Sequence, residues 1–203
     1  MKLSLKSAVA ALVLAAPSLA FGAEYVFDAS HSNAQFSVRH MMVTNVRGEF
    51  PKMTGSVNLD EKDVTKSSVE ATIDVASINT REPKRDDHLR SPDFFDVAKF
   101  PSMTFKSTKV EKAGKDKLKV TGNLTIHGVT KSVVLDVEGP TPEIKDPWGN
   151  TKRGLVATTR ISRKDFGMTW NKALEAGGVV VGDDVNITID VEMNKKQPAE
   201  AKK

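Results

Sequence analysis

There is no cysteine in this chain. Its absence excludes disulfides, thiol catalysis, thiolate metal sites, c-type haem attachment and a lipid-modified anchor. Burial and hydrogen bonding must hold the fold together instead. Tyrosine occurs once and tryptophan twice. So few leave nothing for the two aromatic girdles of an outer-membrane barrel, and little for an aromatic-lined sugar cleft. After the N-terminal leader, no segment is apolar over the ~20 residues that a spanning helix needs. Neither sign of charge dominates: 30 basic residues face 26 acidic ones, and they are interspersed. No basic patch forms, so nucleic acid is not an expected partner. A Gly-x-Ser-x-Gly nucleophile turn and a phosphate-binding glycine loop are both missing.

What is present begins with a leader. Lys2 and Lys6 form a basic start, Ala8 to Ala16 is a short apolar run, and Pro17 to Ala23 is rich in small residues. This is the pattern of a cleaved secretory signal over residues 1–22, with the mature chain starting at Ala23 and cleavage after Ala20 as the alternative. Of the net charge of +4, the leader carries two through Lys2 and Lys6, leaving +2. An exported, periplasmic location is therefore expected. Residues 194–203 are lysine-rich without apolar pattern and read as a disordered tail.

Between these ends, period-2 alternation dominates. Ala34, Phe36, Val38 and His40 share a face. Met53, Gly55, Val57 and Leu59 repeat the pattern, as do Val69 to Val75, then Met103 and Phe105. Leu118 to Ile126, Val133 to Val137, a weaker run from Leu155 to Ile161, and Val185 to Met193 follow. Val46 to Phe50 is expected to pair with the strand at Met53, and Ala113 to Asp116 is read as a hairpin turn. About eight strands in sequential hairpins predict an all-β, antiparallel, up-and-down barrel with a short helical insert over Pro83 to Arg90. Such a barrel is either filled by side chains or holds one small ligand.

The insert breaks the pattern most sharply. Arg85-Asp86-Asp87-His88-Leu89-Arg90 is dense in charge, and Phe94-Phe95 follows. The segment either plugs one end of the core or contacts a ligand. Arg85, Asp86 and His88 are expected to form an ionic network, with His31 and His40 as further polar candidates near a head group. The four histidines lack the close helical spacing of a zincin site, and no metal is expected. A Ser32–His88–Asp86 triad can be drawn, but nothing marks an oxyanion hole, and no catalytic residues are assigned. The interior is mostly aliphatic. Phe36, Val38, Phe50, Val57, Ile73, Met103, Phe105, Leu124, Ile126, Leu135, Ile187 and Ile189 would line an apolar pocket suited to a flexible hydrocarbon chain. Phe94, Phe95, Phe166 and Trp170 are expected to line it as well, the first two turning inward from the insert and the last two reaching it from a loop folded over the barrel mouth.

Several blocks in order resemble the YceI-like proteins. They include His31-Ser32, Gly48-Glu49-Phe50, Arg85 to Ser91, Phe94-Phe95, Gly122 to Thr130, Asp146-Pro147-Trp148-Gly149 and Asp165-Phe166-Gly167. The resemblance covers residues 23–193 and implies a lipocalin-like periplasmic barrel domain. It further implies a stress-linked carrier that sequesters a polyisoprenoid, an isoprenoid quinone or a prenyl phosphate, with no other cofactor required. A long-chain isoprenoid lipid is then the expected partner, and the reading leaves room for transient membrane contact and for a homodimer. The sequence is also compatible with two rivals: an enzyme using His88 and Asp86 on a lipid, and a stress-protective barrel packed solid.

Overall fold

The computed structural model describes residues 22–175 and 177–197. The expected leader, apart from Gly22, lies outside them, as does the end of the tail beyond Gln197. The chain forms β1 (Ala23–Phe27), β2 (Asn33–His40), β3 (Thr44–Phe50), β4 (Met53–Leu59) and β5 (Ser68–Asp74). Helix α1 (Pro83–Arg90) is followed by β6 (Ser102–Gly114), β7 (Lys117–Ile126) and β8 (Val129–Glu138). The short β9 (Ile144–Lys145), β10 (Thr151–Ser162) and β11 (Val181–Lys195) complete the chain.

All pairings are antiparallel, and β1, β4, β5, β6, β7, β8, β10 and β11 close into an eight-strand ring. Closure leaves the ring without a free edge. β2 and β3 extend this ring at one end. β1 and β2 lie end to end on the same edge of β11, through Phe27↔Met193 and then Asn33↔Asp190. β3 and β4 are likewise collinear: β3 pairs with β2, and β4 with β1. The first four strands are thus one long hairpin, broken halfway along each arm. Asp28 breaks the first arm by folding back, its carboxylate accepting from the Ser30 amide at 3.0 Å. Pro51, which has no N–H for the ladder, breaks the second. This corrects the expected β3–β4 pairing: their alternation is that of one strand continued past a proline.

Three further elements differ from expectation. β1 was not anticipated. β11 runs two residues into the expected tail, where Asn194 and Lys195 pair with Val26 and Tyr25, and the Lys196 amide bonds the Glu24 carbonyl. The second half of β6 was hidden because register slips between Ser107 and Lys109. That bulge shifts the inward parity from Met103 and Phe105 to Val110, so a strict period of two fails there.

Helix α1 has the expected bounds. Pro83 begins it, where a missing N–H costs nothing, and the Glu82 side chain caps the Lys84 amide at 3.3 Å. Ser91 ends it, its hydroxyl donating to the His88 carbonyl at 2.8 Å. The helix, the β2–β3 turn and the loop from Arg163 to Val180 gather at one end of the barrel. The β4–β5, β6–β7 and β8–β10 connections gather at the other.

Candidate functional site

A cavity of about 230 Å³ runs inside the barrel, with an almost wholly apolar lining. Every residue expected to line a pocket does so except Phe166 and Trp170. Phe36, Val38, Phe50, Val57, Ile73, Met103, Phe105, Leu124, Ile126, Leu135, Ile187 and Ile189 form the walls, and Phe94 and Phe95 lie at the helix end. The solid-core expectation fails for this reason. Glycines on the inner face help keep the lumen open. The ring of Phe36 lies against Gly48, where an added Cβ would come within 2.5 Å of it. Phe105 covers Gly122 in the same way, at 2.3 Å. Both rings therefore rest on the neighbouring strand rather than across the lumen.

At the helix end, aromatic rings pass inward in series. Phe36 packs at a tilt against Phe50, and Phe50 meets Phe95 edge-on, each pair at 5.7 Å between centroids. Phe94 faces the cap instead: His88 lies 5.1 Å and Trp170 5.2 Å from it, with His88 4.9 Å from Trp170. Trp170 thus belongs to the cap over the cavity, not to its lining. Phe166 is fully buried in the core beneath the same loop. The irregular backbone from Arg163 onward carries no period from which either placement could be read.

The expected Arg85–Asp86–His88 network is only partly formed. Asp86 is 7% exposed and accepts from both the amide (2.9 Å) and the hydroxyl of Thr80. Arg85 reaches the same threonine, donating to its hydroxyl at 2.7 Å and its carbonyl at 2.8 Å. Arg90 ties the helix end to the carbonyls of Ala76 (3.0 Å) and Ile78 (2.8 Å). His88 stands apart, paired with Asp93 at 2.8 Å near the surface. An acid/base pair of His88 and Asp86 is therefore not assembled, nor is a Ser32–His88–Asp86 triad, because Ser32 bonds the Glu192 backbone. His31 lies exposed by the break in the first arm, and His40 ends β2. Neither reaches the cavity lining, so the five polar candidates do not converge on one head-group site.

Two buried cations matter more, and the sequence concealed both, because arginine and lysine are read by default as exposed. Arg163 is 3% exposed. It donates to the carbonyls of Met168 (2.6 Å), Trp170 (2.9 Å) and Gly182 (2.9 Å) and to the carboxylate of Asp183 (3.1 Å). This one side chain fixes the loop that caps the cavity. Lys152 holds Asp28 at 2.9 Å and Glu192 at 2.6 Å, across the break in the first arm. Its hydrogen bond holds the Asp28 carboxyl well below the usual carboxylate range. Asp28, His31 and Glu192 converge closely enough to resemble a metal-ligand set. The Lys152 ammonium already supplies the cation between the two carboxylates.

At the end opposite the helix, a polar depression opens beside the cavity. Asp60, Glu61, Lys112, Asp116, Lys117 and Arg153 line it, and Leu59, Val64, Leu118 and Pro140 line both spaces. Arg153 is anchored there by Tyr25 (3.0 Å) and the Thr141 carbonyl (2.7 Å), while the Tyr25 hydroxyl donates to Glu143. The arrangement is an apolar bore with a charged rim. It suits an amphiphile, with its chain inside and its polar end in water.

A model of the YceI-like domain matches residues 25–193. A UPF0312 protein of Vibrio parahaemolyticus is 40% identical over 168 residues, spanning 82% of this chain and 88% of the relative. The crystal structure of a Campylobacter jejuni YceI protein is 36% identical, with a TM-score of 0.66 over 78% of this chain and 90% of that one. Burkholderia cenocepacia BcnA superposes with a TM-score of 0.69 at 25% identity, covering 82% and 98%. A polyisoprenoid binding domain from Saccharophagus degradans shares the fold at 16% identity and a TM-score of 0.62, covering 85% and 98%.

Proposed function

The chain belongs to the YceI-like domain family, and on that premise we propose that it is a periplasmic carrier that sequesters a polyisoprenoid chain in its barrel. The ligand class is an isoprenoid quinone or a prenyl phosphate, held without catalysis and without another cofactor. The observation that carries this reading is the apolar bore running from Phe94 and Phe95 to Leu118 and Pro140. The fold shared with a polyisoprenoid binding domain supports it. The leader pattern supports the compartment.

The energetics set what the carrier should discriminate. Each buried methylene contributes ~0.8 kcal/mol. Summed over a long chain, that exceeds the ceiling of about −20 kcal/mol for non-covalent affinity. Ordering the chain offsets part of the gain. Affinity should therefore climb with chain length until the bore is filled and then level off. Titrating delipidated protein with geranyl, farnesyl, geranylgeranyl and longer prenols tests this. A rise followed by a plateau is expected. Failure to bind any prenol, or affinity independent of length, removes the proposal.

A further inference from the structure

Asp146-Pro147-Trp148-Gly149 stands out in the sequence, yet nothing in the cavity uses it. Its tryptophan is 83% exposed, and Ile144, two residues before the motif, is 61% exposed. The loop beneath is firmly made. Asp146 accepts from the amides of Trp148 (3.0 Å) and Asn150 (2.8 Å) and from the Asn150 side chain (2.8 Å). A built turn that holds a large indole out in water presents it to something.

Its position narrows the choice. The same connection, through Gly139 and Pro140, walls the charged depression that adjoins the apolar bore. The indole therefore stands at the end where an amphiphile's polar head would emerge. One exposed cation flanks the tip, Lys145 beside Ile144. Lys195, the last residue of β11, and Lys196 after it lie at the same end, where Glu143 and Glu24 pair with them. Beyond Gln197 the sequence adds Lys202 and Lys203 against one acid, Glu200. Tryptophan favours the headgroup level of a bilayer, and lysines near an anionic leaflet add attraction that salt weakens.

We propose that Trp148 and Ile144 form a membrane-docking tip that seats the rim of the cavity on an anionic phospholipid bilayer. Its purpose rests on the carrier reading, but its test needs no isoprenoid, so the two fail separately. A second apolar tip, Met41, Met42 and Val43, lies at the opposite end of the barrel and serves as the internal control.

The mature protein carrying Trp170→Phe reports on Trp148 alone. Added to vesicles of phosphatidylglycerol and phosphatidylethanolamine, its emission should shift to the blue and be quenched by brominated acyl chains. Joint Ile144→Ser and Trp148→Ser, in exposed positions that leave the melting temperature unchanged, should lower vesicle partitioning tenfold or more. Joint Met41→Ser and Met42→Ser should leave partitioning intact. An unshifted, unquenched indole overturns the proposal, as does partitioning that survives loss of Ile144 and Trp148. Partitioning lost in the Met41 and Met42 variant places docking at the wrong end and also overturns it. A dimer that Trp148→Ser dissolves, without vesicle binding by the parent, assigns the tip to a protein interface instead.

Discussion

The ring of Phe105 rests on Gly122, close enough that a Cβ on that glycine would come within 2.3 Å of the ring's Cζ. The two lie on neighbouring strands of the inner wall, two residues apart in register: Phe105 is opposite Leu124, and Gly122 opposite Ser107. The glycine is thus what lets a large aromatic face the lumen without crossing it.

Gly122→Val should push that ring into the bore. Overpacking of this kind costs about 1–3 kcal/mol of stability, so the variant should still fold. If the displaced ring excludes about two methylenes of ligand, affinity falls by about 1.6 kcal/mol, a little over tenfold. Prenol titration beside a thermal melt measures both. Unchanged affinity in a folded variant would show that the ligand does not pass Phe105.

Asp86→Ala should act on stability. It removes a buried carboxylate and strands the Thr80 amide that it satisfies. An unsatisfied buried donor costs ~1–3 kcal/mol, and about 2 kcal/mol in a domain of this size lowers Tm by roughly 4–8 °C. Prenol affinity, measured well below the transition, should change little, since Asp86 does not line the cavity. A melt like that of the parent would mean that the helix is held without this contact.

Arg163→Lys keeps the charge but not the fork of donors. Lysine cannot serve the carbonyls of Met168, Trp170 and Gly182 together with Asp183 from one planar group. The cap should loosen before the barrel does. Hydrogen exchange should speed up across the loop between β10 and β11 and stay slow in β6 and β7. Uniform acceleration would instead indicate global destabilisation.

The Lys152 clasp should make stability depend on acid. In the unfolded chain the Asp28 carboxyl titrates near its ordinary value of about 3.9, and in the fold it lies lower. Its contribution is therefore complete above about pH 4 and is lost as pH falls through the folded value. Asp28→Asn should be less stable than the parent at neutral pH, and the two should converge below about pH 4. Denaturant melts across that range test the point. A gap that stays constant into strong acid would contradict it.

What could be read from the sequence followed the physics of each signal. Helix α1 was legible to the residue because Pro83 and Ser91 mark its ends. The inner walls were legible because one buried face imposes alternation, and Val57, Leu124 and Ile187 obey it. Where the period broke, reading failed: past the bulge at Ser107, across Pro51, and in the loop that carries Phe166 and Trp170. Lys152 and Arg163 were missed for a different reason. Their burial depends on partners distant in the chain, Asp28 for one and the carbonyl of Gly182 for the other. Arg85 and Asp86 were rightly grouped, but Thr80 is the hub that joins them and His88 is not a member.

Native mass spectrometry of the mature protein, purified from periplasm without detergent, bears most directly on the filled bore. The expected spectrum contains a fraction of protein carrying one added mass, released on activation and identified by extraction as an isoprenoid lipid. In Gly122→Val that fraction should shrink. Bare protein in every preparation, still bare after incubation with isoprenoid quinone, would contradict the assignment of the cavity to an isoprenoid chain.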